Sequence, residues 1–387
     1  MKILILPSWY PPDGGSFFRE QSEAIAKGGI KIDVLSVRIK GIKNINKIIL
    51  NKKLKKSHEN GIKVYRSIYF KYPLTEKHNI IPWSKKVLQL FEDYVKAEGM
   101  PDLIHVHSSL WAGYAAAIIA QKYNIPYVLT EHRSRFVENN IFAKNKIKSY
   151  HKGIIAKALR NATKVIVVSN KLKNVLFEIE PSIKNRTVII PNFIDTSVFK
   201  PANEPPALKP FVFFSLGNII YTKGIDVLIE AFNILKKKNT TSVILKIGGS
   251  GKEKYKLKKR ISQLGLEDEI YFPGKLSRKQ VVSEMQKSHA FVLASRFEAF
   301  GVVLIEAMSC GLPVIASKSG GPEEIVNNSN GYLTALESPH ELAKAMESML
   351  KNYHLFNPSI IRQHVLEKYS EQSTVKQIIK LYKEVIE

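Results

Sequence analysis

At 387 residues, with 44% hydrophobic and 10% aromatic side chains, the chain has enough apolar material for the cores of two domains. A single cysteine, Cys310, excludes an internal disulfide and any cysteine-cluster metal site. The formal net charge of +25 attracts anionic lipid, nucleic acid or acidic ligands without choosing among them.

In chain order, the run Ile3 to Leu6 is stopped at once by Pro7, too short for a signal-peptide core. No later segment approaches the ~18 apolar residues of a membrane span, so a cytoplasmic location is expected. Short β-branched runs alternate with longer amphipathic ones, the pattern of βαβ units around parallel sheets. In the first half the spacing predicts strands over residues 2–6, 31–36, 103–107, 127–130, 164–168 and 188–190. Between the second and third of these lies RIKGIKNINKIILNKKLKK, residues 38–56, basic without an acid, with Ile42, Ile45 and Ile49 at near-helical spacing. Such a run suits an interfacial helix or loop on an anionic membrane; the Lys, Ile and Asn bias of the whole chain explains it equally well.

The segment DTSVFKPANEPPALKP, residues 195–210, is rich in proline and lacks periodicity. It marks a linker between a first domain over 1–194 and a second over 211–369. After it the alternation restarts, with strands predicted over 211–216, 243–247, 270–272, 290–293, 313–316 and 331–334. The closing STVKQIIKLYKEVIE places Val375, Ile379 and Tyr382 at helical spacing. Two doubly wound α/β domains facing each other across a cleft are the simplest architecture.

Ligands of such sheets sit beyond the carboxyl ends of the strands. After the first strand comes PSWYPPDGGSFFREQ, where Gly14, Gly15 and Ser16 allow close backbone approach and the next helix can face an anion. A tight structural turn explains these glycines nearly as well. After 211–216 comes SLGNIIYTKG, with Gly217 at the turn and Lys223 opening the next helix. IGGSGKEKY invites a phosphate-loop reading that fails, because the signature needs a glycine where Lys246 stands and a Ser or Thr where Glu253 stands. The EDE of 267–269 follows a Gly-Leu turn and reads as solvated. His105 and His107 share a face of one strand, but with no third ligand evident, packing outweighs a metal site. His132, at a strand end in TEHRSRF, is the better functional candidate, against a satisfied loop histidine. Cys310 has no base beside it and reads as a small core residue.

FEAFGVVLIEAMSCGLPVIAS, residues 297–317, carries Glu298 and Glu306 in an apolar setting, where carboxylates are rare unless paired. A strand, a turn and a helix over 302–308 put Glu298 just before the helix and Glu306 inside it. They flank an N-terminus whose free N–H groups favour an anion such as a diphosphate. At ~1.5 Å per residue, Gly301 to Glu306 spans roughly 8 Å, about the reach from a diphosphate to the sugars at its ends. Glu298 then takes hydroxyls of a transferred sugar and Glu306 a ribose diol. Helix capping by Glu298 with a solvated Glu306 is the plain alternative, and it leaves the apolar setting unexplained.

The chain resembles the retaining glycosyltransferases of family 4. The likeness runs in order through SWYPPDGGSFFREQ, DLIHVH, TEHRSRF, IPNFIDTSVF, the TKG of 222–224, FPGKL, the Glu-x7-Glu element EAFGVVLIE, SGGPEEIV and NGYL, over nearly the whole length. It implies the GT-B fold: two facing Rossmann-like domains, the C-terminal helix over 370–387 crossing back to the first. It also implies a nucleotide-diphosphate sugar as donor, no metal cofactor, and retention of anomeric configuration. By position, Glu298 matches the glutamate on the donor sugar, Glu306 the one on the ribose, and Lys223 the lysine that neutralises the diphosphate in place of a metal. Backbone N–H groups of Phe300, Gly301, Val302 and Val303 match those contacting sugar and phosphate. Gly15, followed by Ser16, matches the glycine loop presented to the diphosphate, His132 the histidine near the transferred sugar, and Lys275 and Leu276 the main-chain grip on the base. Where the family often has an arginine beside Gly217, this chain has Asn218. Phosphate binding then leans more on Lys223, or Arg296 or Arg135 compensates.

The expected activity is transfer of a hexosyl group, from a UDP-sugar in preference to a GDP-sugar, to a glycan or lipid-linked acceptor in bacterial surface polysaccharide synthesis. The basic charge fits a peripheral position on the anionic inner face of the cell membrane. A nucleotide-sugar epimerase, or a non-catalytic nucleotide-sugar-binding subunit, would use the same binding logic, and Asn218 keeps the latter open. A nucleic-acid partner is indicated by charge alone and is not expected.

Overall fold

The computed structural model describes residues 1–41, 55–133, 136, 149–238 and 242–387. By residue contacts the chain divides into two units, Met1–Ile190 with Val375–Glu387, and Pro191–Thr374. Ile42, Ile45, Ile49 and Arg135 lie outside the described residues. Among the described residues no helix is long and apolar enough to cross a membrane.

The first unit's sheet contains β1 (Lys2–Pro7), β2 (Lys31–Gly41), β3 (Lys55–Glu59), β4 (Ile62–Lys71), β5 (Leu103–His107), β6 (Tyr127–Glu131), β7 (Lys164–Val167) and β8 (Thr187–Ile189), in the order β3-β4-β2-β1-β5-β6-β7-β8. Every pairing is parallel except β3 with β4. The central strands are buried along their length, as parallel strands covered by helices on both faces must be. The hairpin β3–β4 is not among the expected strands. It turns at Asn60 and Gly61, with φ of 50° and 83°, the left-handed pair that a two-residue hairpin turn requires.

This hairpin changes the reading of the basic run. Its described ends, residues 38–41 and 55–56, are strand rather than interfacial helix, and the stretch between lies outside the described residues. Arg38 and Lys40 both bond Asp13, Arg38 Nη2 at 2.9 Å and Lys40 Nζ at 2.8 Å, and Lys56 bonds Glu98 at 2.7 Å, so part of the positive charge is neutralised locally.

The last helix, Glu371–Ile386, buries Val375, Ile378, Leu381 and Tyr382, with residues 375–387 counting in the first unit. A side chain at Gly28 would stand 2.7 Å from Ile379 Cδ1, so the glycine lets this helix approach the first one, Ser16–Lys27.

The second unit's sheet contains β9 (Phe211–Leu216), β10 (Val243–Gly248), β11 (Ile270–Gly274), β12 (Ala290–Leu293), β13 (Val314–Ser317) and β14 (Gly331–Thr334). It is wholly parallel, in the order β11-β10-β9-β12-β13-β14. This is the doubly wound order with its reversal between β9 and β12, where a crevice opens at the carboxyl ends. The segment read as a linker begins packed onto this unit. Phe199 is 1% exposed, and its carbonyl accepts from Ser309 Oγ at 2.6 Å and Arg362 Nη1 at 2.8 Å.

Candidate functional site

In the second unit the chemistry gathers where the strand order reverses. β9 runs into Gly217 and Asn218, a 3-10 turn over Tyr221–Lys223, then Gly224 and the helix Ile225–Lys238. Lys223 therefore closes that short turn; it does not open the helix, as the sequence suggested. β12 runs into a buried loop and the helix Val302–Ser309. The two loops touch backbone to backbone, since a side chain at Gly224 would stand 1.9 Å from the Ala294 carbonyl oxygen. That approach brings the Lys223 ammonium to 2.5 Å from Glu298 Oε1. Ser295 Oγ donates to the same oxygen at 2.8 Å.

Glu298, 8% exposed, is also held by its backbone. Its N–H donates to the Ser319 carbonyl at 3.0 Å and its carbonyl accepts from Gly321 N–H at 3.0 Å. A side chain at Gly321 would stand 2.2 Å from Phe300 Cα, which explains the second glycine in SGGPEEIV. Gly301, at φ 103°, starts the helix with no side-chain cap, leaving the first-turn N–H groups of Val302 and Val303 for an acceptor from outside. Glu306 is half-buried on that helix. One turn on, burial pushes the Cys310 thiol up to about 12, with the Glu306 charge adding, so the cysteine is an inert core residue.

The remaining residues of this half line the same carboxyl edge. Gly217 is half-buried, with the Lys223 stem 3.8 Å from where its side chain would stand, and Asn218 is exposed. Lys275 is exposed and Leu276 half-buried just past β11; Leu276 Cδ1 lies 3.0 Å from where a Gly248 side chain would begin. Gly249 and Gly251 have a packing reason, since side chains there would meet the Gly217 and Ile219 carbonyl oxygens at 1.8 and 2.1 Å. In the EDE triplet, Glu269 pairs with Lys236 at 3.2 Å.

Arg296 does not stand in for the missing arginine at 218. It is 4% exposed, and its guanidinium is bound to Asp226 at 2.9 and 2.8 Å and to Glu337 at 2.8 Å. Burial works against the charge, but the hydrogen bonds to Asp226 and Glu337 raise it above its ordinary pKa.

The first unit presents a different chemistry. Gly14 and Gly15, at φ 102° and 75°, bend the chain into the helix Ser16–Lys27, which has no side-chain cap. A side chain at Gly15 would stand 2.7 Å from the Trp9 carbonyl oxygen. His132 follows β6, half-buried, its Nε2 3.2 Å from His107 Nδ1 and its ring 5.2 Å from that of Phe17. The structure thus brings His132 beside the helix start that Gly15 and Ser16 form. His105 is a packing residue, its Nε2 2.6 Å from Thr130 Oγ1 and its Nδ1 bonded to the Tyr382 hydroxyl. Burial, with repulsion from His132 behind it, holds His105 down at about 3, and burial holds His107 well below its usual range.

Sequence reasoning missed Glu131. It is 0% exposed, and its carboxylate accepts from Ser109 N–H and Oγ at 2.8 and 2.6 Å and from the N–H groups of His132 and Arg133 at 3.0 and 3.1 Å. The signal that singled out Glu298, a carboxylate in an apolar setting, was present in YVLTE.

A cation, a buried carboxylate and an uncapped helix start together suit an anion flanked by hydroxyl groups. Comparison with known proteins agrees with that chemistry. The family described as Glycosyltransferase Family 4 matches residues 14–198, and Glycosyl transferases group 1 matches 199–373. A putative teichuronic acid biosynthesis glycosyltransferase of Bacillus subtilis is 27% identical over 89% of this chain and 88% of its own length. The sucrose-phosphate synthase of Thermosynechococcus elongatus superposes with a TM-score of 0.81 at 20% identity, covering 99% of both chains. An Anabaena protein in complex with UDP gives 0.76 at 21% identity, covering 99% of this chain and 100% of that one. The two family matches run end to end over both units, and the chain belongs to family 4 of the glycosyltransferases, an enzyme of the GT-B fold.

Proposed function

We propose that the enzyme moves a hexosyl group from a UDP-sugar, in preference to a GDP-sugar, to a glycan or lipid-linked acceptor in bacterial surface polysaccharide synthesis, with retention of configuration and without a metal ion. The observation that carries this is the Lys223–Glu298 pair, 2.5 Å apart, beside the uncapped start of Val302–Ser309. A donor fits by parting the pair: its diphosphate takes Lys223 and the N–H groups of Phe300, Gly301, Val302 and Val303, and its sugar hydroxyls take Glu298. Glu306 receives the ribose diol, and Lys275 and Leu276 the base. Gly217 leaves room for the Lys223 stem, and Asn218 adds a neutral side chain at the phosphate. In the first unit, the uncapped helix start at Gly15 and Ser16, with His132 beside it, offers backbone N–H groups and an imidazole suited to an anionic substrate.

In the transfer step the bond from the anomeric carbon to the diphosphate oxygen breaks. A bond from that carbon to the acceptor oxygen forms on the vacated face, and the acceptor proton passes to the leaving phosphate. Lys223 and the helix start stabilise the charge that develops there. The UDP-bound Anabaena structure supports the choice of base, and the Bacillus subtilis relative supports the polysaccharide acceptor. The net charge of +25 supports a place at the inner face of the membrane. Calorimetry with UDP and GDP tests the reading: UDP binds, and binding is lost in Glu306→Ala. A protein that binds neither nucleotide overturns it.

A further inference from the structure

The loop that carries Glu298 holds Arg296 two residues earlier, and three other segments of the second unit meet at its guanidinium. Nη1 donates to Asp226 at 2.9 Å and to the Tyr221 carbonyl at 2.5 Å, Nη2 to Asp226 at 2.8 Å, and Nε to Glu337 at 2.8 Å. The Tyr221 ring lies 3.9 Å from the guanidinium carbon, within cation–π range. The Arg296 backbone N–H donates to the Thr222 carbonyl at 2.8 Å. Tyr221 and Thr222 are the first two residues of the turn that ends in Lys223, Asp226 lies in the first turn of Ile225–Lys238, and Glu337 follows β14 at φ 53°. Four of the five N–H donors of a guanidinium are therefore turned inward, away from any diphosphate.

We propose that Arg296 is a positioning residue that fastens the Tyr221–Lys223 turn to the Glu298 loop and so sets the separation of the Lys223 ammonium from the Glu298 carboxylate. The proposal rests on the donor-site reading above. A planar fork is required for it. An ammonium cannot take both Asp226 oxygens, Glu337 and the Tyr221 carbonyl from one place, nor lie flat on the tyrosine ring. Without the fork, Asp226 and Glu337 lose their shared cation, and the turn ending in Lys223 loses its hold on the β12 loop. Asn218 makes this hold more consequential here: with no arginine beside Gly217, Lys223 is the cation the turn brings to Glu298.

The test is a double-mutant cycle read by UDP calorimetry and by donor kcat and KM, with thermal melting as the fold check. GDP replaces UDP if the wild-type protein prefers it. Arg296→Lys is expected to keep the fold, weaken UDP binding about tenfold and lower kcat as well. In a Lys223→Ala background, at UDP concentrations that saturate that variant, the same substitution is expected to change binding less than about twofold, because the residue it acts through is gone. A tenfold loss in both backgrounds overturns the proposal, as does an Arg296→Lys protein that binds UDP like the wild type. If Arg296→Lys melts early, Asp226→Asn enters the same cycle with Arg296 in place, and equal losses in both backgrounds again overturn it. Should Lys223→Ala leave UDP binding unchanged, or should the wild type bind neither nucleotide, the donor-site reading fails and the proposal with it. Should Lys223→Ala weaken binding while Arg296 acts independently, the positioning role alone fails.

Discussion

Glu131 ends β6 in the first unit and Glu298 follows β12 in the second, both buried at the carboxyl edge of a parallel sheet, and they are held in opposite ways. Glu131 is saturated: both oxygens accept two donors each, and all four come from Ser109, His132 and Arg133 in the segments beside it. Glu298 is held on one side only, with Lys223 and Ser295 both on Oε1 among the described residues. A carboxylate saturated by uncharged donors of its own chain sets backbone geometry. A carboxylate balanced by one ammonium keeps acceptor capacity and a partner that a ligand can displace. Burial alone does not tell the two apart; the identity and placement of the donors does.

Four measurements break or sharpen that contrast. The largest effect is expected from Glu298→Ala, which lowers transfer at least about a hundredfold while moving the melting temperature by no more than about 2 °C; an active variant, or one that does not fold, would erase the distinction. Glu131→Ala should do the reverse first, losing about 3 kcal/mol in urea denaturation because two buried and two part-buried donors lose their acceptor. A milder substitution sharpens the picture. Glu298→Gln keeps the shape but releases Lys223, so calorimetry should show UDP bound about fivefold tighter even as transfer is lost. Unchanged or weaker UDP binding would mean that the ion pair does not compete with the diphosphate.

The last measurement concerns pH. His105 and His107 are held neutral by burial, so the unfolded chain takes up protons below about pH 6.5 that the folded first unit refuses. Stability present above pH 6.5 is therefore lost as pH falls from there towards about 3. Urea midpoints at pH 7, 6 and 5 should decline in step, and less steeply in His105→Asn.

The strands that position the site were legible because each is a short β-branched run ended by a turn residue. The hairpin β3–β4 was not, since KKSHE has no apolar alternation to mark an edge strand, although Asn60–Gly61 named its turn. The placing of Glu298 and Glu306 about one helix start was legible. The Lys223–Glu298 distance was not, because it depends on Gly224 meeting Ala294 far along the chain. Arg296 was misread for the same reason: Asp226, Glu337 and Tyr221 stand 70, 41 and 75 residues from it in sequence.

The return of residues 375–387 to the first unit has a consequence for synthesis. The bond from Tyr382 to His105 joins positions 277 residues apart, so the ribosome completes the second unit before the first can close around that histidine. At 5–20 residues per second, the interval between Ile190 and Tyr382 is roughly 10–40 s, during which the nascent first unit lacks the helix that covers Gly28 and must remain unaggregated while its neighbour is made.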